Sequence, residues 1–353
     1  MSFWDPDKHW FDTSWIMDDQ KPDCEQHGLK HGEQLSGVPT GCLPNERAPI
    51  DFALILGAGW TGRQIAGQML AHGMRVRLVD QSDQALEASR AWIEAQLGPF
   101  FEQGYWPKCD WRDASKRLEL VREDPAESLL VPGIVLECIP EQVALKRRVL
   151  KRYSEKYGEQ TIIASNSSYF VPSTFSKHLR FPERYAHFHF HVPIWIATLV
   201  DVATAPETSQ DTVDRLIALS DRIGQTPLVQ RVENTGYVFN WMLKSLLQSA
   251  LQLVKKGVSN PKDIDTAWRK ATGMPVGPFG IMDQIGLDII FQTMSHARFV
   301  EGDEVWAPLL AILQPLVDQG KLGVKTGSGF FEYGDPVHWQ ANASPGVGEK
   351  KAP

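Results

Sequence analysis

Residues 57–62 form a glycine-rich turn of the kind that holds phosphate groups. Gly57-Ala-Gly59-Trp-Thr-Gly62 fits the pattern G-x-G-x-x-G and directly follows the apolar run Phe52–Leu56. The first glycine permits a tight turn, and the second lets the backbone approach a pyrophosphate. The third allows the next helix to pack closely on the sheet with its N-terminal N–H groups directed at the phosphates. The motif therefore predicts a dinucleotide cofactor, with Trp60 and Thr61 among its contacts.

An acidic residue at the end of the next apolar run indicates which dinucleotide binds. Asp80 follows Val76–Val79, where a carboxylate accepts hydrogen bonds from the ribose hydroxyls and repels a 2′-phosphate. Strand, turn, helix and acidic residue occur in the order that makes the glycine pattern specific. NAD is therefore favoured, and Arg75 and Arg77 leave NADP open as the alternative.

Three histidines alternate with phenylalanines near the middle of the chain. His187, His189 and His191 would project from one face of a strand, because side chains alternate across a strand. Imidazole titrates near neutral pH and suits a general base. Three imidazoles on one face could also ligate zinc, but histidines spaced two apart on a strand often simply pack against their neighbours.

The N-terminal region offers a second set of possible zinc ligands. It comprises Cys24, His27, His31 and Cys42. Their spacing would permit a site with two cysteines and two histidines, but it matches no common zinc finger well. We therefore predict no metal at either place.

The elements that must position these residues alternate between strand and helix. The predicted strands are Phe52–Leu56, Val76–Val79, Gly133–Leu136, Thr161–Ala164, Tyr185–Val192 and Leu199–Val202, and the predicted helices are Arg63–His72, Glu141–Tyr157 and Gln210–Ile223. Short continuous apolar runs are typical of strands that are covered on both faces. The alternation predicts an α/β fold, an N-terminal Rossmann domain with a doubly wound parallel sheet.

The second half of the chain is predicted to be an all-α C-terminal domain. Its helical segments are Tyr237–Val254, Asp263–Ala271, Gly280–Phe299 and Val305–Gln319. We place an N-terminal arm at 1–49, poorly structured or docked, the NAD-binding domain at 50–233, the helical substrate and dimerisation domain at 234–334, and a loose tail at 335–353.

Composition excludes several classes of protein. The 353 residues are 42% hydrophobic and 22% charged with a net charge of −7, and they contain no basic stripe, so we expect no nucleic-acid partner. No apolar run approaches the ~18 residues of a membrane helix, and the N-terminus lacks a signal pattern. With only four cysteines, a reducing compartment fits. We expect a cytoplasmic protein that does not bind membranes.

Several separate motifs, in order, resemble one family across nearly all of residues 51–333. They lie at 57–66, 136–141, 164–168, 183–189, 236–240, 273–279, 282–283, 286–288 and 323–330. Together they resemble the 3-hydroxyacyl-CoA dehydrogenases, in the short form that performs one reaction. The resemblance implies NAD-dependent oxidation of the C3 hydroxyl of an acyl-CoA, a place in fatty acid metabolism, and a homodimer that pairs through the helical domain.

The resemblance also assigns roles to individual residues. It makes His189 the general base, Asp201 the carboxylate that orients it, and Ser168 and Asn240 the groups that hold the substrate oxygen. It places Glu141 and Lys146 on the nicotinamide side of the cofactor, and we add Asn166 of the third motif to the cofactor contacts.

The chain departs from the family pattern around the base. His191 stands where the family has Phe, Val192 where it has Asn, Trp195 where Pro is common and Asp201 where it usually has Glu; Trp241 replaces the usual Arg. The shorter carboxylate gives up about 1.5 Å of reach. These changes keep two alternatives open: a dehydrogenase of a 3-hydroxy acid without CoA, and an NAD-binding sensor or assembly protein with little turnover.

Overall fold

The computed structural model describes residues 49–125, 130–230 and 232–333. The predicted arm, apart from its last residue, the tail at 335–353 and the set Cys24, His27, His31 and Cys42 lie outside these ranges.

An eight-stranded sheet forms the N-terminal half of the described chain. Its strands are β1 Phe52–Leu56, β2 Arg75–Val79, β3 Leu118–Val121, β4 Ile134–Glu137, β5 Ile162–Ser165, β6 Tyr185–Phe190, β7 Leu199–Thr204 and β8 Thr226–Gln230. Their spatial order is β3-β2-β1-β4-β5-β6-β7-β8. Strands β1 to β6 run parallel, as the sequence predicts, whereas β7 is antiparallel to β6. The eight residues between β6 and β7 are too few for the crossover that a parallel pair requires.

Helices cover both faces of the sheet. They are α1 Trp60–Ala71, α2 Asp83–Glu102, α3 Trp111–Ser115, α4 Val143–Tyr157, α5 Ser173–Ser176 and α6 Gln210–Arg222. The central strands β1, β4 and β5 are buried along their whole length, which explains their uninterrupted apolar sequences. The edge strands β3 and β8 are only partly buried and carry polar residues or Pro227. They consequently lack the apolar signal by which the other strands are predicted.

The second half of the described chain is helical, as predicted. It consists of α7 Phe239–Lys255, α8 Pro261–Thr272, α9 Pro278–Ile285, α10 Leu287–Glu301 and α11 Asp303–Asp318. These helices enclose a second core around Trp306, which is fully buried. No helix in the described ranges is both long and apolar enough to cross a membrane. The division between domains at 233 and 234 stays a prediction.

The prediction of one helix over Gly280–Phe299 was wrong. Helix α9 ends at Ile285 and α10 begins at Leu287, with Gly286 at φ +105° between them. Glycine is the residue that adopts such a backbone without penalty. The break redirects the chain, so that α9 and α10 each contribute a different part of one cleft wall.

Candidate active site

The glycine loop follows β1 and has the geometry of a pyrophosphate cradle. Gly57 has φ +107°, and a Cβ there would lie 2.6 Å from the carbonyl oxygen of Cys138. A Cβ on Gly62 would lie 1.9 Å from the carbonyl oxygen of Gly57. The protein itself thus requires both glycines. A Cβ on Gly59 would have no atom within 4 Å, so this glycine leaves a backbone face open, which fits a bound pyrophosphate.

Asp80 follows β2 and faces the glycine loop. Its carboxylate accepts hydrogen bonds from the backbone N–H of Ala58 at 2.8 Å and of Ser82 at 2.9 Å. These bonds fix the carboxylate beside the loop, and its remaining lone pairs suit ribose hydroxyls. Arg77 is buried and pairs with Glu119 and Asp124, each at 2.8 Å. Its guanidinium is therefore committed to other carboxylates, which fits NAD rather than NADP.

Lys146 lies in a buried ion-pair cluster at the end of β4. Its ammonium lies 2.7 Å from Glu137 and 2.9 Å from Glu141, and it donates to the carbonyl of Ile139 at 3.2 Å. The two carboxylates raise the pKa of Lys146 against the opposing effect of burial. The sequence predicts Lys146 and Glu141 as cofactor-binding residues but not Glu137, because Glu137 stands at the end of an apolar strand and resembles an ordinary polar strand end.

The proposed base, carboxylate and serine lie next to one another. His189 Nδ1 lies 3.0 Å from Asp201 Oδ2, and His189 Nε2 lies 3.1 Å from Ser168 Oγ. A carboxylate only accepts hydrogen bonds, so the imidazole proton is on Nδ1 and the Nε2 lone pair faces Ser168. His189 and Asp201 are buried, whereas Ser168 is exposed.

The strand register explains how the short Asp201 reaches the imidazole. His189 and Asp201 are direct cross-strand partners in the antiparallel pair β6–β7, and such side chains share a face at about 5 Å between Cβ atoms. At that separation an aspartate is long enough. Ser168 lies in the loop after β5, which is parallel to β6. All three groups therefore meet at the end of the sheet where β5 and β6 terminate.

Burial favours the neutral form of His189. Removal from water lowers the pKa of His189, and the hydrogen bond to Asp201 opposes that shift only in part. The two imidazole bonds to Asp201 hold the pKa of this carboxyl below its ordinary value despite burial. His189 therefore holds a free lone pair at neutral pH, as a general base requires.

Tyr237, for which the sequence predicts no role, packs against His189. The Tyr237 ring stacks on the His189 ring with 4.6 Å between centroids and 20° between planes. The Tyr237 hydroxyl donates to the Ser167 carbonyl and accepts from His187 Nδ1 at 2.9 Å. Tyr237 has φ +57°, the only positive value outside glycine in the described chain. Such a backbone costs free energy and is concentrated at functional sites.

A cleft of about 940 Å³ opens in front of the base. The proposed catalytic residues that line it are Ser168, His189 and Asn240, and the proposed cofactor residues that line it are Thr61, Glu141, Lys146 and Asn166. The three glycines, Trp60 and Asp80 lie outside this cleft. Its far wall is apolar and comes from α7, α9 and α10, through Leu243, Leu247, Ile281, Ile285, Ile289 and Ile290.

The family departures other than Asp201 divide into two groups. His191, Val192 and Trp241 line the cleft. Trp195 does not line it and is instead 5% exposed within an aromatic core cluster, with its ring 4.5 Å from Phe100. Trp195 is therefore a packing residue of the Rossmann half.

A glycine-rich cofactor cradle on a Rossmann sheet and a histidine–carboxylate pair beside a cleft are the features of an NAD-dependent oxidoreductase that acts on a CH–OH group. Models of the 3-hydroxyacyl-CoA dehydrogenase NAD-binding domain and C-terminal domain match residues 53–233 and 236–333. The chain belongs to the 3-hydroxyacyl-CoA dehydrogenase family.

Relatives and solved structures agree with this assignment. The mitochondrial hydroxyacyl-coenzyme A dehydrogenase of Sus scrofa is 29% identical, over 85% of this chain and 96% of that protein. The structure of (S)-3-hydroxybutyryl-CoA dehydrogenase from Ralstonia eutropha is similar with a TM-score of 0.69 and 28% identity, covering 80% of this chain and 99% of that one. A diketoreductase that acts on dicarbonyl compounds matches with a TM-score of 0.75 and 30% identity, over 81% and 100% of the two chains.

Proposed function

We propose that this protein oxidises a 3-hydroxyacyl-CoA to the 3-ketoacyl-CoA, or catalyses the reverse reduction, with His189 as general base. The observation that carries the proposal is the hydrogen-bonded series Asp201–His189–Ser168. It lies at the carboxyl ends of the parallel strands, where the glycine loop also lies. Ligands bind at the carboxyl ends of the strands in doubly wound sheets.

The proposed reaction removes a proton and a hydride from the same carbinol. His189 Nε2 accepts the proton of the C3 hydroxyl, and Asp201 stabilises the imidazolium through Nδ1. Ser168 and Asn240 hydrogen-bond the substrate oxygen while its bond to carbon becomes a carbonyl. NAD, when bound, would supply the acceptor for the hydride of C3. Glu141, Lys146 and Asn166 hold the nicotinamide side of the cleft, and the apolar wall takes the acyl chain.

The test is NADH oxidation with acetoacetyl-CoA by the wild-type protein and by His189→Ala. We expect turnover by the wild type and a loss of at least a hundredfold in kcat in the variant, with NADH affinity retained. His178→Ala, which changes an exposed histidine outside the cleft, is the matched control. Full activity in His189→Ala would refute the role of the base. No wild-type turnover despite NADH binding would point to the alternative substrate or to a sensor.

A second candidate reaction uses a 3-hydroxy acid without CoA. It is favoured by the departures Val192 and Trp241 in the cleft and by the 30% identity to a diketoreductase. Comparing kcat/KM for acetoacetyl-CoA and for free acetoacetate separates the two. A higher value for acetoacetate would favour the second candidate.

We also propose a cytoplasmic homodimer paired through the helical half. The support is the apolar surface of α7 and the turn after it, where Met242, Leu253 and Val258 are 59%, 39% and 64% exposed. Sedimentation velocity should give twice the monomer mass of 39.7 kDa. A monomer at micromolar concentration would contradict this part of the proposal.

A further inference from the structure

One carboxylate oxygen in this site accepts hydrogen bonds from two imidazoles. Asp201 Oδ2 lies 3.0 Å from His189 Nδ1 and 2.8 Å from His191 Nε2. Both imidazoles donate to it, because a carboxylate only accepts. The three ligand-type atoms lie within 4.8 Å of one another, and the two hydrogen bonds account for their positions.

His191 is itself held rigidly. It precedes β7 in the hairpin, its backbone N–H bonds the carbonyl of Leu199 at 3.4 Å, and its ring therefore reaches Asp201 along the diagonal of the strand pair. Phe239 packs edge-on against the other side of the ring, with 5.3 Å between centroids. His191 is 9% exposed, so the ring has little freedom to turn away.

Asp201 depends on these two donors for its orientation. The residue is fully buried, and its Oδ1 atom has no hydrogen-bond partner among the described residues. Without His191 only one bond would fix the carboxylate, and rotation about the Cβ–Cγ bond would exchange the oxygen that faces His189.

We propose that His191 is a positioning residue that fixes the short Asp201 carboxylate against the base His189. The inference rests on the proposed function of His189. The cross-strand pairing gives the aspartate its reach, and the second donor restricts the rotation of its carboxylate.

The same arrangement sets the basicity of His189. Burial lowers the pKa of His189 most, the hydrogen bond and charge of Asp201 and the charge of Glu141 raise it, and the neighbouring His191 lowers it further. Tyr237, stacked on the base, is a neutral neighbour because burial raises the pKa of its hydroxyl well above the ordinary value. Removing His191 leaves the Asp201 carboxylate to His189 alone, so the pKa of the base should rise.

The kinetic test compares two substitutions with different hydrogen-bonding capacity. His191→Phe removes the donor but keeps an aromatic ring, whereas His191→Gln keeps an N–H near the position of Nε2 without an ionisable group. We expect His191→Phe to lower kcat about tenfold or more, with a smaller change in KM, and to move the acid limb of kcat/KM to higher pH. His191→Gln should keep kcat within about threefold, and His178→Gln should behave as the wild type. Equal losses in both His191 variants would overturn the positioning role.

A double variant tests whether His191 and the carboxylate at position 201 act together. Asp201→Glu alone extends the carboxylate by about 1.5 Å into a place that His191 occupies, and should lose activity. His191→Phe combined with Asp201→Glu should recover most of the wild-type kcat. If the two losses simply multiply, the two residues act independently and the inference fails.

An NMR titration keeps the inference testable even if the substrate is misassigned. The imidazole signals of the intact protein report the midpoint of His189 without turnover, and His191→Phe should raise this midpoint. An unchanged midpoint would overturn the inference while leaving the dehydrogenase function intact. A raised midpoint in a protein without acyl-CoA turnover would refute the proposed substrate alone.

Discussion

His189 is buried behind the cleft, but its Nε2 atom still reaches the exposed Ser168 at the cleft surface. This placement separates the two functions of the ring. In the proposed reaction one nitrogen meets substrate, and the other stays in a dry environment where the bond to Asp201 is stronger than it would be in water. Reactivity at this site therefore follows from the protonation of one imidazole.

The oxidation should depend on pH through this imidazole. His189 must be neutral to accept a proton, and burial lowers its pKa. The rate constant kcat/KM should therefore rise with pH and reach half its maximum below about pH 6.5, the ordinary pKa of histidine. Asp201→Asn should lower kcat by roughly 10²–10⁴-fold, as loss of the carboxylate does in other His–Asp pairs. A midpoint above pH 7 in the wild type would contradict the assignment.

The sequence predicts most members of the candidate site, but not the contacts between them. The shortened reach of Asp201 suggests a weakened base when only residue types are compared. The cross-strand pairing with His189 removes that difficulty, and strand register is a property of the folded sheet. Likewise, the support from Tyr237 depends on a positive φ at a residue that is not glycine, for which the sequence carries no signal.

At the scale of elements, the glycine loop shows that similar residues can be required for different reasons. Gly62 is required by contact within the protein, whereas no protein atom near Gly59 would exclude a side chain there. The backbone of Gly59 lies at φ −69° and ψ −169°, a conformation that alanine also adopts. The two positions can therefore be separated by experiment.

Gly59→Ala should change the melting temperature by less than about 2 °C, because the methyl group meets no protein atom. It should weaken NAD binding at least tenfold, because the methyl group would stand against the pyrophosphate. Gly62→Ala should lower the melting temperature clearly, since its Cβ would overlap the Gly57 carbonyl. Calorimetric melting and NAD titration of both variants check this. Unchanged NAD affinity in Gly59→Ala would show that the cofactor does not approach this backbone.

The elements themselves were largely predictable because the buried strands are continuously apolar. The edge strands β3 and β8 were not predicted, because their partial burial allows polar residues. The break at Gly286 was not predicted, because the apolar periodicity continues through α9 and α10 and glycine within a helical pattern is often tolerated. In each case the deciding information lies in packing between distant segments.

At the scale of the whole molecule, burial of neutral histidines links stability to acidity. Removal from water, followed by the nearby charge of Lys146, holds the pKa of His187 well below its ordinary value. The folded state therefore keeps this ring neutral while the unfolded chain takes up a proton below about pH 6.5. More protons on the unfolded chain mean that stability falls as the pH falls.

The free energy of unfolding should accordingly decrease below about pH 6.5, by up to about 1.4 kcal/mol per pH unit for each such histidine. His187→Phe should reduce this slope by about that amount. Tyr237→Phe is the matched control, because it removes the same hydrogen bond but keeps the ionisable ring, and so should lower stability without changing the slope. Urea unfolding between pH 5.5 and 7.5 measures both. An unchanged slope in His187→Phe would contradict the linkage.

The pairing of His189 with Asp201 across β6 and β7 also restricts changes in the connection between these two strands. The two strands are joined by residues 191–198, and successive side chains on a strand point to opposite faces. If pairing shifted by one residue, Val200 or Val202 would stand opposite His189, and the carboxylate would face the apolar side of the sheet. A shift by two would return the carboxylate to the face of His189, but Leu199 or Ala203 would then stand directly opposite His189, and the short Asp201 would lie on the diagonal. Insertions and deletions in this connection are therefore compatible with the chemistry only if they leave this pairing unchanged.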